Sequence, residues 1–324
     1  MNVQIGRYGQ YYMKGACNLS IGQNAMQGTT TAADNTGHSN IALGNSAMFY
    51  QKSGDHNIAL GYQALYGTSA GTTGNYNIAF GYMAGKESTS SNDNVIIGVE
   101  AGRYLATATG NQYIGNSAGR CMCNGGYNVA IGILALQGST TVSDNTGANN
   151  VALGRDAGCV ITSGSSNVMI GFDAGDAVTS GSENVIIGKG VDVASASGNN
   201  QFIIGIDSNK WICGDSSYNT TVNDISATNF NSTSDIRLKT NIQPIGDPIG
   251  KVKQIEGVSF NWKKDNKPAL GVIADQVEKI LPELVHGDDP KTVNYNGLIG
   301  LLIETVKEQQ NQIDELKDRI SKLE

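Results

Sequence analysis

The stretch NVALGRDA (150–157) returns as NVMIGFDA at 167–174, and again at the same step as NVIIGKG at 184–190. The unit reads Asn, a β-branched residue, any residue, an aliphatic residue, Gly, two variable residues and Ala. Working outward, the same phase begins at Asn2, Asn18, Asn40, Asn57, Asn77, Asn94, Asn111 and Asn128, and it closes at Gln201. The usual step is about 17 residues, far below the period of helical repeats. Longer steps, such as Asn18 to Asn40 and Asn128 to Asn150, carry the insertions QGTTTAADNTG (27–37) and QGSTTVSDNTG (137–147). So short a unit, repeated twelve times with no helical pattern, predicts a mainly β chain wound as a β-solenoid over residues 1–205.

The chemistry of the unit supports this. Three or four consecutive β-prone residues make a short strand. Gly then permits a backbone turn that a side chain would block. Asn tolerates left-handed backbone and suits the opposite corner, and asparagines stacked at a fixed step can bond into ladders. The Thr, Ser, Asn, Asp and Gly of the inserts read as loops. The middle residue of each strand is usually Ala or Ile, as in Ala42, Ala59, Ile96, Ala152 and Ile186. Both strand faces are therefore apolar, and both need cover. One face can pack inside the coil and the other against identical neighbouring chains. A wide monomeric solenoid that takes both faces inside is the alternative.

The composition changes near residue 233. All five prolines follow it, all five cysteines precede it, and 35 of the 42 glycines precede it. The net charge of −7 is spread out with no basic block, so no nucleic-acid partner is expected. No apolar run is long enough to span a bilayer, and the opening residues do not read as a signal peptide, so no membrane insertion is expected. The cysteines lack metal-ligand spacing and read as reduced, buried thiols; no metal or cofactor is expected. Residues 206–233, rich in Asn, Ser and Thr, read as a linker or lightly structured neck.

The repeats resemble the heads of trimeric autotransporter adhesins, built from similar Asn-x-Ala-Ile-Gly units, and the shafts of phage tail fibres. An autotransporter would also need a secretion signal and a C-terminal membrane barrel, so the phage resemblance is favoured. After the neck come SDIRLKT (234–240), GVSFNW (257–262), GVIADQVEKILPELV (271–285) and VNYNGLIGLLIETVKE (293–308). Together these resemble the C-terminal intramolecular chaperone of endosialidases and other phage tail spikes and fibres, a self-cleaving serine peptidase family. One departure is Asp275-Gln276, where the family usually has Gln-Glu. The resemblance implies an α+β chaperone domain over 234–324 with a Ser–Lys dyad, here Ser234 and Lys239. Ser234 would attack the carbonyl of Thr233, and water would split the resulting ester. This is a single-turnover peptidase acting on its own chain, with no external substrate. Asp235 and Arg237 are possible supporting residues.

A serine hydroxyl needs a base to take its proton, and a lysine serves only when its amine is held neutral. Five residues along a helix rotate about 140°, and five along a strand end on opposite faces. The dyad therefore needs a turn, or a lysine from another chain.

From about 296 to 324 the chain reads as a coiled coil. Ile299, Val306, Ile313 and Ile320 fall at a positions, and Leu302, Gln309, Leu316 and Leu323 at d positions. Ile or Val at a with Leu at d favours a dimer in isolated peptides. The resemblance implies a homotrimer, and Gln309 interrupts the d seam. The expected function is a phage tail fibre that adheres to a host cell-surface receptor, a glycan or a surface protein, with other tail proteins as possible partners. It would be assembled in the host cytoplasm, carried in the virion, trimerised by its chaperone and then cut. A polysaccharide-degrading tail spike and a trimeric bacterial adhesin are the alternatives.

Overall fold

The computed structural model describes residues 1–217, 220–222, 233–263, 266–287 and 290–323. It divides into two compact units, Met1–Ala227 and Thr228–Glu324.

The first unit is the expected β-solenoid. Short strands from Val3–Ile5 to Phe202–Ile206 lie in one parallel sheet in strict chain order. The register never slips: Ile41 faces Ile58, Ala42 faces Ala59, and Leu43 faces Leu60. Asparagine fixes that register. Asn57 N donates to Asn40 Oδ1 at 2.8 Å, and Asn57 Nδ2 donates to Gly74 O at 2.8 Å. Asn77 N then donates to Asn57 Oδ1 at 2.9 Å. The ladder asparagines from Asn18 to Asn184 are buried, so the coil keeps a fully bonded polar spine along its axis.

The corners differ from expectation in one respect. At the asparagine corner the left-handed residue is the one before each ladder asparagine, such as His56 (φ 58°), Tyr76 (φ 58°) or Asp93 (φ 57°), and beyond the glycine the second and fourth residues can be left-handed too, as in Ser46 (φ 57°) and Leu65 (φ 45°). The asparagine is committed to its ladder bonds, so its neighbour takes the bend, at roughly 1–2 kcal/mol for a non-glycine residue. The ladder glycines turn the other corner. Gly44 has φ 137°, and a Cβ there would lie 2.5 Å from the carbonyl oxygen of Gly61.

The middle residue of each strand points into the coil. Ala42, Ala59, Ile96, Tyr113, Met169 and Ile186 are fully buried. Its size is matched by the fourth residue after the ladder glycine. Met26, Met48 and Leu65 accompany Ala42, Ala59 and Ala79 in the following coil, while Gly85, Gly158 and Gly175 precede Ile96, Met169 and Ile186. A Cβ on Gly158 would come within 2.6 Å of Met169 Cε. The small core is filled by trading volume between adjacent rungs.

The flanking strand residues point outward and are partly exposed along the unit. Ile5 is 58% exposed, Phe80 37% and Ile131 42%. Within the expected neck, residues 218–219 and 223–232 lie outside the described residues. The described part continues the sheet. Asn209–Gly214 pairs antiparallel with Phe202–Ile206, and Thr220–Val222 pairs antiparallel with Asn209–Gly214. The repeat has ended, and a tight reversal at Asp207 (φ 50°) folds the chain back over the edge of the last rung.

The second unit holds two short antiparallel hairpins, Val258–Asn261 with Pro268–Gly271 and Val285–His286 with Thr292–Val293. Its helices are α1 (Pro248–Gln254), α2 (Ala274–Glu278) and α3 (Tyr295–Ser321). Val277, Leu281 and Leu301 form the core, with Ile245, Val252 and Leu298 packed on it. Asn294 caps α3, its Oδ1 accepting from Asn296 N and Gly297 N. Helix α3 turns Leu301 and Thr305 inward. The heptad residues lie on another stripe and are open: Ile299 is 54% exposed, Val306 63% and Leu316 53%.

Candidate active site

The site is one turn of chain. Asp235 is extended (φ −67°, ψ 131°) and caps the 3-10 turn Ile236–Leu238. Its Oδ1 accepts from Arg237 N at 2.8 Å. The same carboxylate holds the Arg237 guanidinium, with Nη2 to Oδ2 at 2.6 Å and Nε to Oδ2 at 3.0 Å. The turn closes as Leu238 N donates to Asp235 O and Lys239 N donates to Ile236 O, both at 3.1 Å. Lys239 then leaves extended (φ −121°, ψ 141°).

This turn returns the lysine to the serine. Lys239 Nζ donates to Ser234 Oγ at 2.7 Å within one chain. Within a single chain the turn is enough to bring the two side chains together. The distance suits proton transfer between a nucleophile and its base.

Arg237 spends its charge on Asp235, whose carboxyl is held below the usual carboxylate range by that guanidinium and by the backbone N–H. Arg237 is thus a partner of Asp235, and its cation is matched before it reaches Lys239. Thr233, Ser234 and Lys239 are all exposed. Beside them the two apolar residues of the turn are bare, Ile236 at 71% and Leu238 at 74% exposure. The D-x-R spacing was the sequence signal for the clamp; the bareness of the turn had no signal.

Among the described residues no group of three or more His, Cys, Asp or Glu side chains could hold a metal ion. Among them, too, no helix is long and apolar enough to cross a membrane. The five cysteines are free thiols, and Cys121 and Cys123 are buried. Burial pushes the Cys121 thiol pKa up.

Residues 234–286 match the family described as chaperone of endosialidase. The chain is similar to the long tail fiber protein Gp37 of Enterobacteria phage K3, 31% identical over 107 residues that cover 30% of this chain and 9% of that protein. The Gp37 of Enterobacteria phage T2 is also 31% identical, over 30% of this chain and 8% of that protein. That of Salmonella phage S16 is 30% identical, over 29% of this chain and 14% of that protein. The chain thus spans only a small fraction of the curated relatives it matches. No solved structure matches it.

Proposed function

We propose that the chain serves in a bacteriophage tail fibre, as three copies wound together and matured by one cut of each chain between Thr233 and Ser234. The observation that carries this reading is the 2.7 Å contact of Lys239 Nζ with Ser234 Oγ, at the first residue of the chaperone match.

The chemistry follows from the geometry. With Lys239 neutral, its amine takes the hydroxyl proton of Ser234 as Oγ bonds to the carbonyl carbon of Thr233. The C–N bond breaks, and the departing Ser234 nitrogen takes the proton back from Lys239. An ester now joins Thr233 to Ser234 Oγ. Water hydrolyses it to a Thr233 carboxylate, restoring the Ser234 hydroxyl. The products are residues 1–233 and 234–324.

The lone chain leaves this dyad exposed to water. Cover over Ile236 and Leu238 would desolvate Lys239 and favour its neutral form. Cutting would then follow assembly and report that it has occurred.

Two unpartnered apolar surfaces support a homotrimer. The outward strand residues run along roughly 50 Å of solenoid at about 4.8 Å per rung, and a parallel sheet is normally covered on both faces. Each such side chain, once covered, contributes on the order of 1 kcal/mol. The open seam of α3 offers the device that gathers the chains. A solenoid can start coiling in the wrong register, and long-range β assembly is slow. Releasing the gatherer afterwards would leave the fibre kinetically trapped. Its place would be the virion, after assembly in the host cytoplasm, and its partner a glycan or protein of the host surface.

The test is the intact mass of purified protein. Wild type should resolve into fragments ending at Thr233 and beginning at Ser234, and Ser234→Ala should stay whole. A wild-type chain that assembles and remains whole would refute the reading.

A further inference from the structure

The solenoid carries a second ladder on the side reached after the strand and its left-handed corners. The fifth residue after the ladder glycine is Phe49, Tyr66, Lys86, Arg103 and Arg120 in five successive coils. The Phe49 and Tyr66 rings stack at 5.1 Å and 16°. Tyr50 meets Tyr66 edge-on at 5.3 Å. Lys86 Nζ lies 5.9 Å from the centre of the Tyr66 ring. Arg103 and Arg120 both sit over Tyr104, at 5.0 and 5.5 Å.

The fold does not ask for these residues. The same position holds Gln27 and Gln137 in other coils. The cations are also under-matched. One carboxylate, Glu100, serves both guanidiniums, with Arg103 Nη1 at 2.6 Å and Arg120 Nε at 2.9 Å. Arg103 Nε is buried and has no hydrogen-bond partner among the described residues. Among the described residues these three cations form ion pairs with Glu100 alone, in a chain whose net charge is −7. The insert at 66–76 leaves the solenoid from the rung of Tyr66 and bridges back through Thr72 to Gln51.

We propose that this strip binds a linear acidic glycan, its carboxylates or phosphates on Lys86, Arg103 and Arg120 and its hydroxyls on the phenols of Tyr50 and Tyr66. Rungs repeat at about 4.8 Å, close to the spacing of successive sugar rings in an extended chain. Forked guanidiniums match planar carboxylate and phosphate oxygens, and stacking on the rings holds them in place. The strip gives the fibre reading its receptor chemistry and rests on that reading.

The experiment uses the whole protein on an array of bacterial capsular and lipopolysaccharide glycans of known composition. Its members are carboxylated, phosphorylated or neutral. Wild type should bind acidic members at least tenfold tighter than neutral ones, and the carboxylated and phosphorylated arms separate capsule from lipopolysaccharide as the source. Lys86→Gln with Arg120→Gln should lose tenfold or more in affinity with an unchanged melting temperature, because Gln already occupies this position in two coils. Binding that ignores glycan charge, that survives the double variant, or that no acidic member shows overturns the strip. Adhesion to intact bacteria is measured in parallel. Adhesion that persists in the double variant sinks the strip and leaves the fibre reading standing. Absence of all adhesion by wild type counts against the fibre reading itself.

Discussion

Lys239 reaches Ser234 across a single 3-10 turn, and the 2.7 Å between Nζ and Oγ is set by Asp235, a residue that touches neither side chain's polar head. Asp235 holds the turn by its backbone bond to Arg237 and clamps the guanidinium. Lys239→Arg should abolish cutting, since a guanidinium cannot give up its proton at any working pH. Asp235→Ala removes an N-cap worth about 1 kcal/mol and loosens the turn that brings Lys239 to Ser234. It should slow cutting roughly fivefold at that energy without changing assembly. The appearance of fragment 1–233 against time, by gel or mass, checks both. An Asp235→Ala variant that cuts at the wild-type rate would show that the turn holds itself.

The asparagine ladder should be the most sensitive part of the shaft. Asn167 Oδ1 accepts from Asn184 N at 3.0 Å, and its Nδ2 donates to Gly181 O at 2.9 Å. Asn167→Ala leaves both groups buried and unbonded, at about 1–3 kcal/mol each. Asn167→Asp keeps the acceptor but buries a charge and should cost more. Thermal unfolding of the shaft orders the three proteins. Equal melting of wild type and Asn167→Ala would mean that water fills the gap.

Volume trading inside the coil gives a compensation test. Gly158→Leu collides with Met169, and overpacking of this kind costs about 1–3 kcal/mol. Adding Met169→Ala recreates the Leu65–Ala79 pairing found elsewhere in the same chain and should recover most of that loss. A left-handed leucine is already tolerated at the matching corner, where Leu65 has φ 45°. Additive losses in the double variant would deny the trade.

Stability should fall as pH rises through about 6. Burial, and then its hydrogen bond with Asp176, pushes the Asp192 carboxyl pKa up to about 6. The unfolded value is near 3.9, so the folded chain holds this proton more tightly. The contribution is complete below pH 4 or so and is lost as pH rises through the folded value. Half-exposure leaves roughly 1 kcal/mol after solvent screening. Melting between pH 4 and 8 should slope downward in wild type and flatten in Asp192→Asn. Matching slopes would place the titration elsewhere.

What the sequence determined by itself was everything carried by periodicity. A constant step with Asn and Gly in fixed phase leaves one way to stack a chain, because each rung's bonds repeat in the next. The SDIRLK turn and the a/d seam of α3 were likewise legible as ordered patterns. Tertiary structure decided which residue bends, which strand face is inside, and how Ser234 meets Lys239. The left-handed corner fell to the residue before the asparagine because the asparagine was already committed to its ladder. The inward face fell to the strand centre, since only that position can trade volume with the next rung. Ser234 and Lys239 meet within this chain across a turn capped by the Asp235 carboxylate, a turn that spacing alone permits but cannot require. The strip from Phe49 to Arg120 was invisible in sequence for a related reason: its members lie a whole coil apart along the chain, and only stacking brings them together.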